Sequence, residues 1–233
     1  MIKGIILDYG GTLDSRGVHW SEVLWQGYQQ AQVPIDKETF RTAYVEGERA
    51  LARQRIILPQ DNFHTLLHKK VALELEYLPE HYDTSTRAQW VDAIANYCDQ
   101  AARQCIDQAR PTLEWMHERY PMMLVSNFYG NIDEVLRCYG IRDLFKGIIE
   151  SAVVGIRKPN PTLFKLGVDA LELPAQEVLV VGDSLRKDIL PAEELGCHAL
   201  WFKGKGWTDE EDRQTHPHTI TSIADIKEWI GQF

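Results

Sequence analysis

The chain is poor in cysteine, has no long apolar run and carries a deficit of positive charge. Its four cysteines, Cys98, Cys105, Cys138 and Cys197, form neither a C-x-x-C pair nor a zinc-type spacing. Scattered over a chain of this length, they predict reduced thiols and a cytoplasmic setting. No apolar stretch approaches the length of a bilayer span, and the first residues lack signal-peptide architecture, so no membrane role is expected. Lys plus Arg number 25 against 34 Asp plus Glu, a formal charge of −9. That balance argues against general nucleic-acid affinity, which needs basic patches. It also repels anions at long range, so a site for an anionic ligand must be built from local dipoles, cations or a metal. Internal repeats and low-complexity segments are absent.

Strand signals are missing as well from about His19 to Ile106. Trp20, Val23, Leu24 and Tyr28 follow helical spacing up to a break at Pro34. A second helix is expected from Asp36, its N-cap, toward Leu51, with further helices over Asp61–Leu78 and Ser85–Ile106. On either side the texture changes. Ile2 to Leu7 is an apolar run bounded by glycines, which predicts a buried strand. From Pro111 onward, helices (Thr112–Tyr120, Ile132–Tyr139, Pro161–Leu171, a segment through Glu194, and Ile223–Ile230) alternate with apolar runs. Those runs are Met122–Val125, Ile148–Ile149, Val178–Val181 and His198–Phe202. Alternating strands and helices predict an α/β fold, a doubly wound parallel sheet with a Rossmann-like core, interrupted by a four-helix insertion. Asp209–Asp212 reads as a solvated acidic face.

In such sheets the functional crevice lies beyond the carboxyl ends of the strands. The first run delivers Asp8 and then turns through Gly10-Gly11, where main-chain N–H groups can approach an anion without a Cβ in the way. Met122–Val125 is followed by Ser126-Asn127, and Val178–Val181 by Gly182-Asp183-Ser184, with Asp188 four residues beyond Ser184. Lys158 stands on a loop before Pro159, which biases it toward extended backbone. Singly, these residues are capping groups, turn formers and a surface lysine. Jointly they place several carboxylates, a hydroxyl, an amide and a lysine on one sheet edge. Carboxylates in that number need a cation among them, and an all-oxygen donor set suits magnesium. The lysine and hydroxyl suit a phosphoryl group, whose transfer depends on charge stabilisation.

Asp8-Tyr9-Gly10-Gly11-Thr12-Leu13-Asp14, Ser126-Asn127, Lys158 before Pro159, and Gly182-Asp183-Ser184 with Asp188 resemble, in order, the four motifs of the haloacid dehalogenase-like hydrolases. The resemblance covers essentially the whole chain. It implies an α/β hydrolase core over residues 1–17 and 107–233 and a helical cap over residues 18–106. It further implies Asp8 as a nucleophile forming an aspartyl-phosphate. Mg²⁺ would be held by Asp8, the Gly10 carbonyl, Asp183 and Asp188. Ser126, Asn127, Lys158 and the N–H groups after Asp8, Gly11 among them, would bind phosphate, and Lys158 would also restrain Asp8. The implied ligand is a small phosphorylated metabolite.

The chain departs from the family pattern at Gly10. Most phosphatases of this family carry there an Asp that protonates the leaving group and then activates water, a service worth ~10²–10⁴-fold. Asp14, Tyr9 and His19 are the neighbouring candidates for a substitute. The alternative is a catalytically impaired protein that binds phosphorylated ligands or protein partners. Two other branches fit less well. The dehalogenase branch needs no metal, against the retained Asp183 and Asp188. The phosphonate-cleaving branch uses a cap lysine, and Lys37, Lys69 and Lys70 carry no distinguishing context. Arg49, Arg53 and Arg55 form a tempting anion set, although Glu46 offers Arg49 an ordinary helix partner. Trp20 and Trp25 are expected in the core, and His216-Pro217-His218 in an exposed loop that lacks further metal ligands.

Overall fold

The computed structural model describes all 233 residues. Six parallel strands form one sheet in the order β3-β2-β1-β4-β5-β6. They are β1 (Gly4–Leu7), β2 (Met122–Ser126), β3 (Gly147–Glu150), β4 (Val178–Gly182), β5 (His198–Phe202) and β6 (Thr219–Ile220). β1 lies at the centre, with Ile6 opposite Met123 on one side and Val180 on the other. Strand residues point alternately to the two faces. Ile5, Leu7, Leu124, Leu179 and Val181 join one apolar cluster, whereas Ile6, Met123, Val125 and Val180 join another. Each face is therefore covered, as a doubly wound sheet requires.

Four helices lie between β1 and β2: α1 (Trp20–Gln30), α2 (Lys37–Arg53), α3 (Phe63–Glu76) and α4 (Thr84–His117). Asp36 caps α2 by accepting from the Thr39 N–H at 2.8 Å, as its position predicts. Asn62 caps α3, and Asp83 caps α4. One expectation fails here. The helices expected over Ser85–Ile106 and Thr112–Tyr120 are a single 34-residue helix with Pro111 inside it. Proline removes one ladder hydrogen bond and usually ends a helix. Here the buried stripe Ala102, Ile106, Ala109, Leu113 and Met116 keeps helical spacing across it, so tertiary packing outweighs the local defect.

The remaining helices are α5 (Ile132–Cys138), α6 (Ser151–Val154), α7 (Thr162–Leu171), α8 (Leu190–Glu194), α9 (Asp209–Arg213) and α10 (Ile226–Trp229). α7 sends Leu163, Phe164, Val168 and Leu171 into the second cluster, while α5 and α4 pack on the opposite face. A wide turn of helix over Leu185–Ile189 precedes α8 and carries Asp188. β6 and α9 have no counterpart in the sequence reading. The first is only two residues long, and the second is the acidic run. No helix is long and apolar enough to cross a membrane.

Candidate active site

The topology brings the carboxyl ends of β1, β2 and β4 side by side, next to the point where the strand order reverses. Asp8 follows β1 and Asp183 follows β4. Lys158, on the loop before α7, inserts between carboxylates: its Nζ lies 2.7 Å from Asp8 Oδ1 and 2.6 Å from Asp188 Oδ1. The lysine side chain is 2 % exposed, so the pair interacts with little screening by solvent. Carboxylate oxygens of Asp8, Asp183 and Asp188 all lie within 4.8 Å of one another. Burial, followed by the charges of Asp188 and Asp8, raises the Asp183 carboxyl well above its ordinary pKa. Burial also raises Asp188, against the pull of Lys158. For Lys158, burial disfavours the charged form, but the fields of Asp188 and Asp8 outweigh it and raise the pKa. Three carboxylates facing one ammonium hold an excess of negative charge, and a hard divalent cation fits both that charge and the all-oxygen donors.

Glycine makes this approach possible. A Cβ on Gly11 would stand 2.4 Å from Asp183 Cγ, and Gly11 has φ +93°, so both space and backbone demand glycine. The Thr12 hydroxyl sits 3.3 Å from Asp8 Oδ2 and 3.1 Å from Asp183 Oδ1, bridging the two carboxylates. Sequence reasoning gave Thr12 no role, and its place four residues after Asp8 in a tight turn was the available signal.

The remaining expected residues fall into distinct places. Asn127 lines the cavity, but its side chain brackets the Lys158 peptide. Its Nδ2 donates to the Lys158 carbonyl at 3.1 Å, and its Oδ1 accepts from the Lys158 N–H at 2.9 Å. Asn127 thereby fixes the lysine loop. Ser126 is buried at the end of β2, and its hydroxyl has no hydrogen-bond partner. The Gly11 N–H, expected to face an anion, donates here to Asp14 Oδ1 at 2.8 Å. Directly after Asp8, the N–H groups of Tyr9 and Gly10 have no intramolecular acceptor.

A cavity of about 500 Å³ opens above these groups. Its far wall comes from the helical insertion and includes His19, Trp20, Tyr44, Glu48, Phe63 and Lys70. Trp20 packs against the core beside Phe63, as expected, and also lines the cavity. Its Nε1 donates to Asp14 Oδ2 at 2.8 Å. Lys70 acquires the context its sequence lacked. It is buried, pairs with Glu48, and lies 3.2 Å from the Tyr129 hydroxyl. Lys37 and Lys69 pair elsewhere, with Glu22 and Asp61. Arg49, Arg53 and Arg55 are not among the lining residues, whereas Arg157, Arg186 and Lys187 are, and none of these three has a carboxylate partner.

A family model for haloacid dehalogenase-like hydrolases matches residues 2–196. The chain belongs to this family. It is 33% identical over 162 residues to the glyceraldehyde 3-phosphate phosphatase of Pyrococcus abyssi, covering 63% of this chain and 67% of that protein. It is 24% identical over 233 residues to the phosphoglycolate phosphatase of Yersinia pseudotuberculosis, covering 99% of this chain and 94% of that protein. Among solved structures, the HAD-hydrolase YfnB from Bacillus subtilis, bound to magnesium, has a similar fold. It superposes with a TM-score of 0.61 at 18% identity, covering 99% of each chain.

Within this member of the haloacid dehalogenase-like hydrolases, Gly10 faces open space, since a Cβ built there meets nothing within 4 Å. Each of the neighbouring candidates has its own setting. Asp14 is buried and held by Gly11 and Trp20, and burial raises its pKa well above the ordinary value. Tyr9 is buried against Phe63 and Phe128, with ring centroids at 6.2 and 5.5 Å. His19 lines the cavity, but its Nδ1 accepts from the Ser21 N–H at 3.2 Å, and burial lowers its pKa to about 3. It is neutral at physiological pH and has no proton to give as an imidazolium.

Proposed function

We propose that the protein is a magnesium-dependent phosphohydrolase acting on a small phosphorylated metabolite through an aspartyl-phosphate on Asp8. The observation that carries this reading is the buried Lys158 ammonium held between Asp8 and Asp188, with Asp183 alongside. Relatives named as phosphatases support it.

Asp8, Asp183, Asp188 and the Gly10 carbonyl, which accepts no intramolecular hydrogen bond, would hold the cation. When bound, magnesium neutralises charge on the carboxylates and on the phosphoryl oxygens. Asp8 attacks phosphorus, which turns one hard hydrolysis into two easier displacements. Lys158 holds the attacking carboxylate in place and offers its remaining proton to a phosphoryl oxygen. The unpartnered Ser126 hydroxyl and the unused N–H groups of Tyr9 and Gly10 are satisfied by the same oxygens. Arg157, Arg186 and Lys187 at the cavity supply the local positive potential that an acidic chain otherwise lacks.

With no acid at Gly10, the leaving group departs without a proton from the protein. Aryl, acyl and anhydride phosphates are therefore favoured over alkyl phosphates. The slow or purely binding alternative has its own support, since Asp14 is held by Gly11 and Trp20, the Tyr9 ring is buried between phenylalanines and His19 Nδ1 caps α1. The experiment is an assay of an aryl phosphate with magnesium and with chelator, beside Asp8→Asn. Turnover that needs magnesium and vanishes in Asp8→Asn supports the enzyme. No wild-type turnover across a broad phosphate panel, together with tight binding of phosphate, supports the alternative.

A further inference from the structure

A second cluster of ligand-type side chains lies away from the cavity, where the stretch before β6 meets α8. His216 is not the exposed loop residue that its sequence suggests. Its side chain is 9 % exposed, and its Nε2 lies 3.1 Å from Glu193 Oε1. One ring nitrogen from each of His216 and His218 and one oxygen of Glu193 lie within 4.8 Å of one another. The third ligand that the His-Pro-His motif lacks in sequence thus comes from a helix 23 residues upstream.

The hydrogen bonding at this cluster can be completed in two ways. His216 Nδ1 is 3.3 Å from both the carbonyl and the N–H of His218. If Nδ1 accepts from the N–H, Nε2–H donates to Glu193 and no cation is needed. If Nδ1–H donates to the carbonyl, the Nε2 lone pair faces a carboxylate, and that encounter requires a second ring proton or a metal cation between them. His218 supplies a separate observation that points to a ligand. Its own Nδ1 is buried with no hydrogen-bond partner. Trp229 and Phe233 flank its ring at centroid distances of 5.5 and 5.1 Å and offer no acceptor. That nitrogen is left for a group from outside the chain. Glu193, at 38 % exposure, leaves one side open to solvent for entry and for a bound water.

We propose that Glu193, His216 and His218 form a second metal site, for a zinc-class divalent cation, separate from the carboxylate cluster at Asp8. Donor chemistry separates the two: two imidazoles and one carboxylate suit zinc and its neighbours, whereas oxygen-only ligands suit magnesium. The backbone is ready for the ion, because the His218 carbonyl accepts from the Trp201 N–H of β5 at 2.9 Å. A cation here pins α8 to the start of β6, an edge strand of two residues.

The test is calorimetric titration of the metal-free 233-residue chain with zinc and with magnesium. It compares wild type with Glu193→Gln, His216→Gln and Asp183→Asn, with thermal midpoints recorded alongside. One equivalent of zinc should bind and raise the midpoint. Binding should weaken at least ten-fold in Glu193→Gln and His216→Gln and persist in Asp183→Asn. Zinc-edge absorption should show imidazole and carboxylate scatterers at ~2.0–2.2 Å. Absence of zinc binding by wild type, or equal affinity in Glu193→Gln, overturns the proposal and leaves a hydrogen-bonded His216–Glu193 pair. Glu193 lies half-exposed at a helix end, so its variant remains folded and decides the matter even where His216→Gln does not.

Discussion

Lys158 Nζ and Asp8 Oδ1 stand 2.7 Å apart although 150 residues separate them in the chain. The contact joins the loop after β1 to the loop before α7, and it is buried at both ends.

Removing the lysine charge leaves two buried carboxylates facing each other. Breaking a buried pair this way costs about 3–5 kcal/mol. Lys158→Met is therefore expected to unfold at markedly lower urea than wild type without metal, and to regain part of the loss with saturating magnesium. Denaturation curves in magnesium and in chelator measure both effects. Equal urea midpoints for the two proteins in chelator would contradict this account of the pair.

Gly10→Asp restores a carboxyl into open space. It should raise turnover of alkyl phosphates by ~10²–10⁴-fold and of aryl phosphates by much less, since only the former need a proton at departure. Steady-state kinetics on a leaving-group series gives the slope. Equal gains for both classes would mean that the new carboxylate acts only as a base on water.

Gly10 and Gly11 are adjacent and should respond oppositely to a single methyl group. Gly10→Ala meets nothing within 4 Å, while Gly11→Ala drives a Cβ to 2.4 Å from Asp183 at φ +93°. The second change should cost roughly 1–3 kcal/mol from backbone strain alone and displace Asp183, weakening magnesium binding. The first should leave the thermal midpoint nearly unchanged. Thermal scans with and without magnesium compare them directly.

His19 gives stability an acid limit. Burial, with smaller contributions from Lys187, Lys70 and Arg41, lowers its pKa from 6.5 to about 3 in the fold. The unfolded chain takes up a proton as pH falls through 6.5, and the folded chain does so only near 3. The contribution is therefore complete above pH 6.5 and is lost progressively as pH falls toward 3. At about pH 5 the loss amounts to about 2 kcal/mol. His19→Asn, which retains a capping group for α1, should lose less on going from neutral pH to about pH 5. Urea midpoints at the two pH values test the sign.

Much of the sheet was legible because its strands are apolar runs ended by chemistry. Leu7 leads to Asp8, Val125 to Ser126 and Val181 to Asp183. β5 was bounded correctly at His198–Phe202 for the same reason. The helical insertion announced itself through spacing and through the cap at Asp36. What was not legible depends on contacts between distant segments. Pro111 looks like a break until the stripe on both sides of it is seen to pack as one surface. Gly11 looked like an anion donor because sequence cannot show that Asp14 takes its N–H. Lys70 and Glu48 became cavity residues only when α2 and α3 were laid over the sheet edge, and Glu193 met His216 only when α8 came to lie beside β6.

The unbroken α4 has a mechanical consequence. One of the two connections between the insertion and the sheet is a rod of 34 residues, about 50 Å long at 1.5 Å per residue. The other is the short link through Arg16, Gly17 and Val18, where Arg16 and Gly17 both have positive φ. Gly17 lies so close to the backbone of Phe202 and Gly204 that a Cβ there would stand 2.6 Å and 2.7 Å from them, and a layer tethered by one stiff shaft and one link packed that tightly does not swing like a door on two loops. Its freedom to admit a ligand is channelled into flexure of the shaft, and Pro111 marks the point where the shaft is weakest.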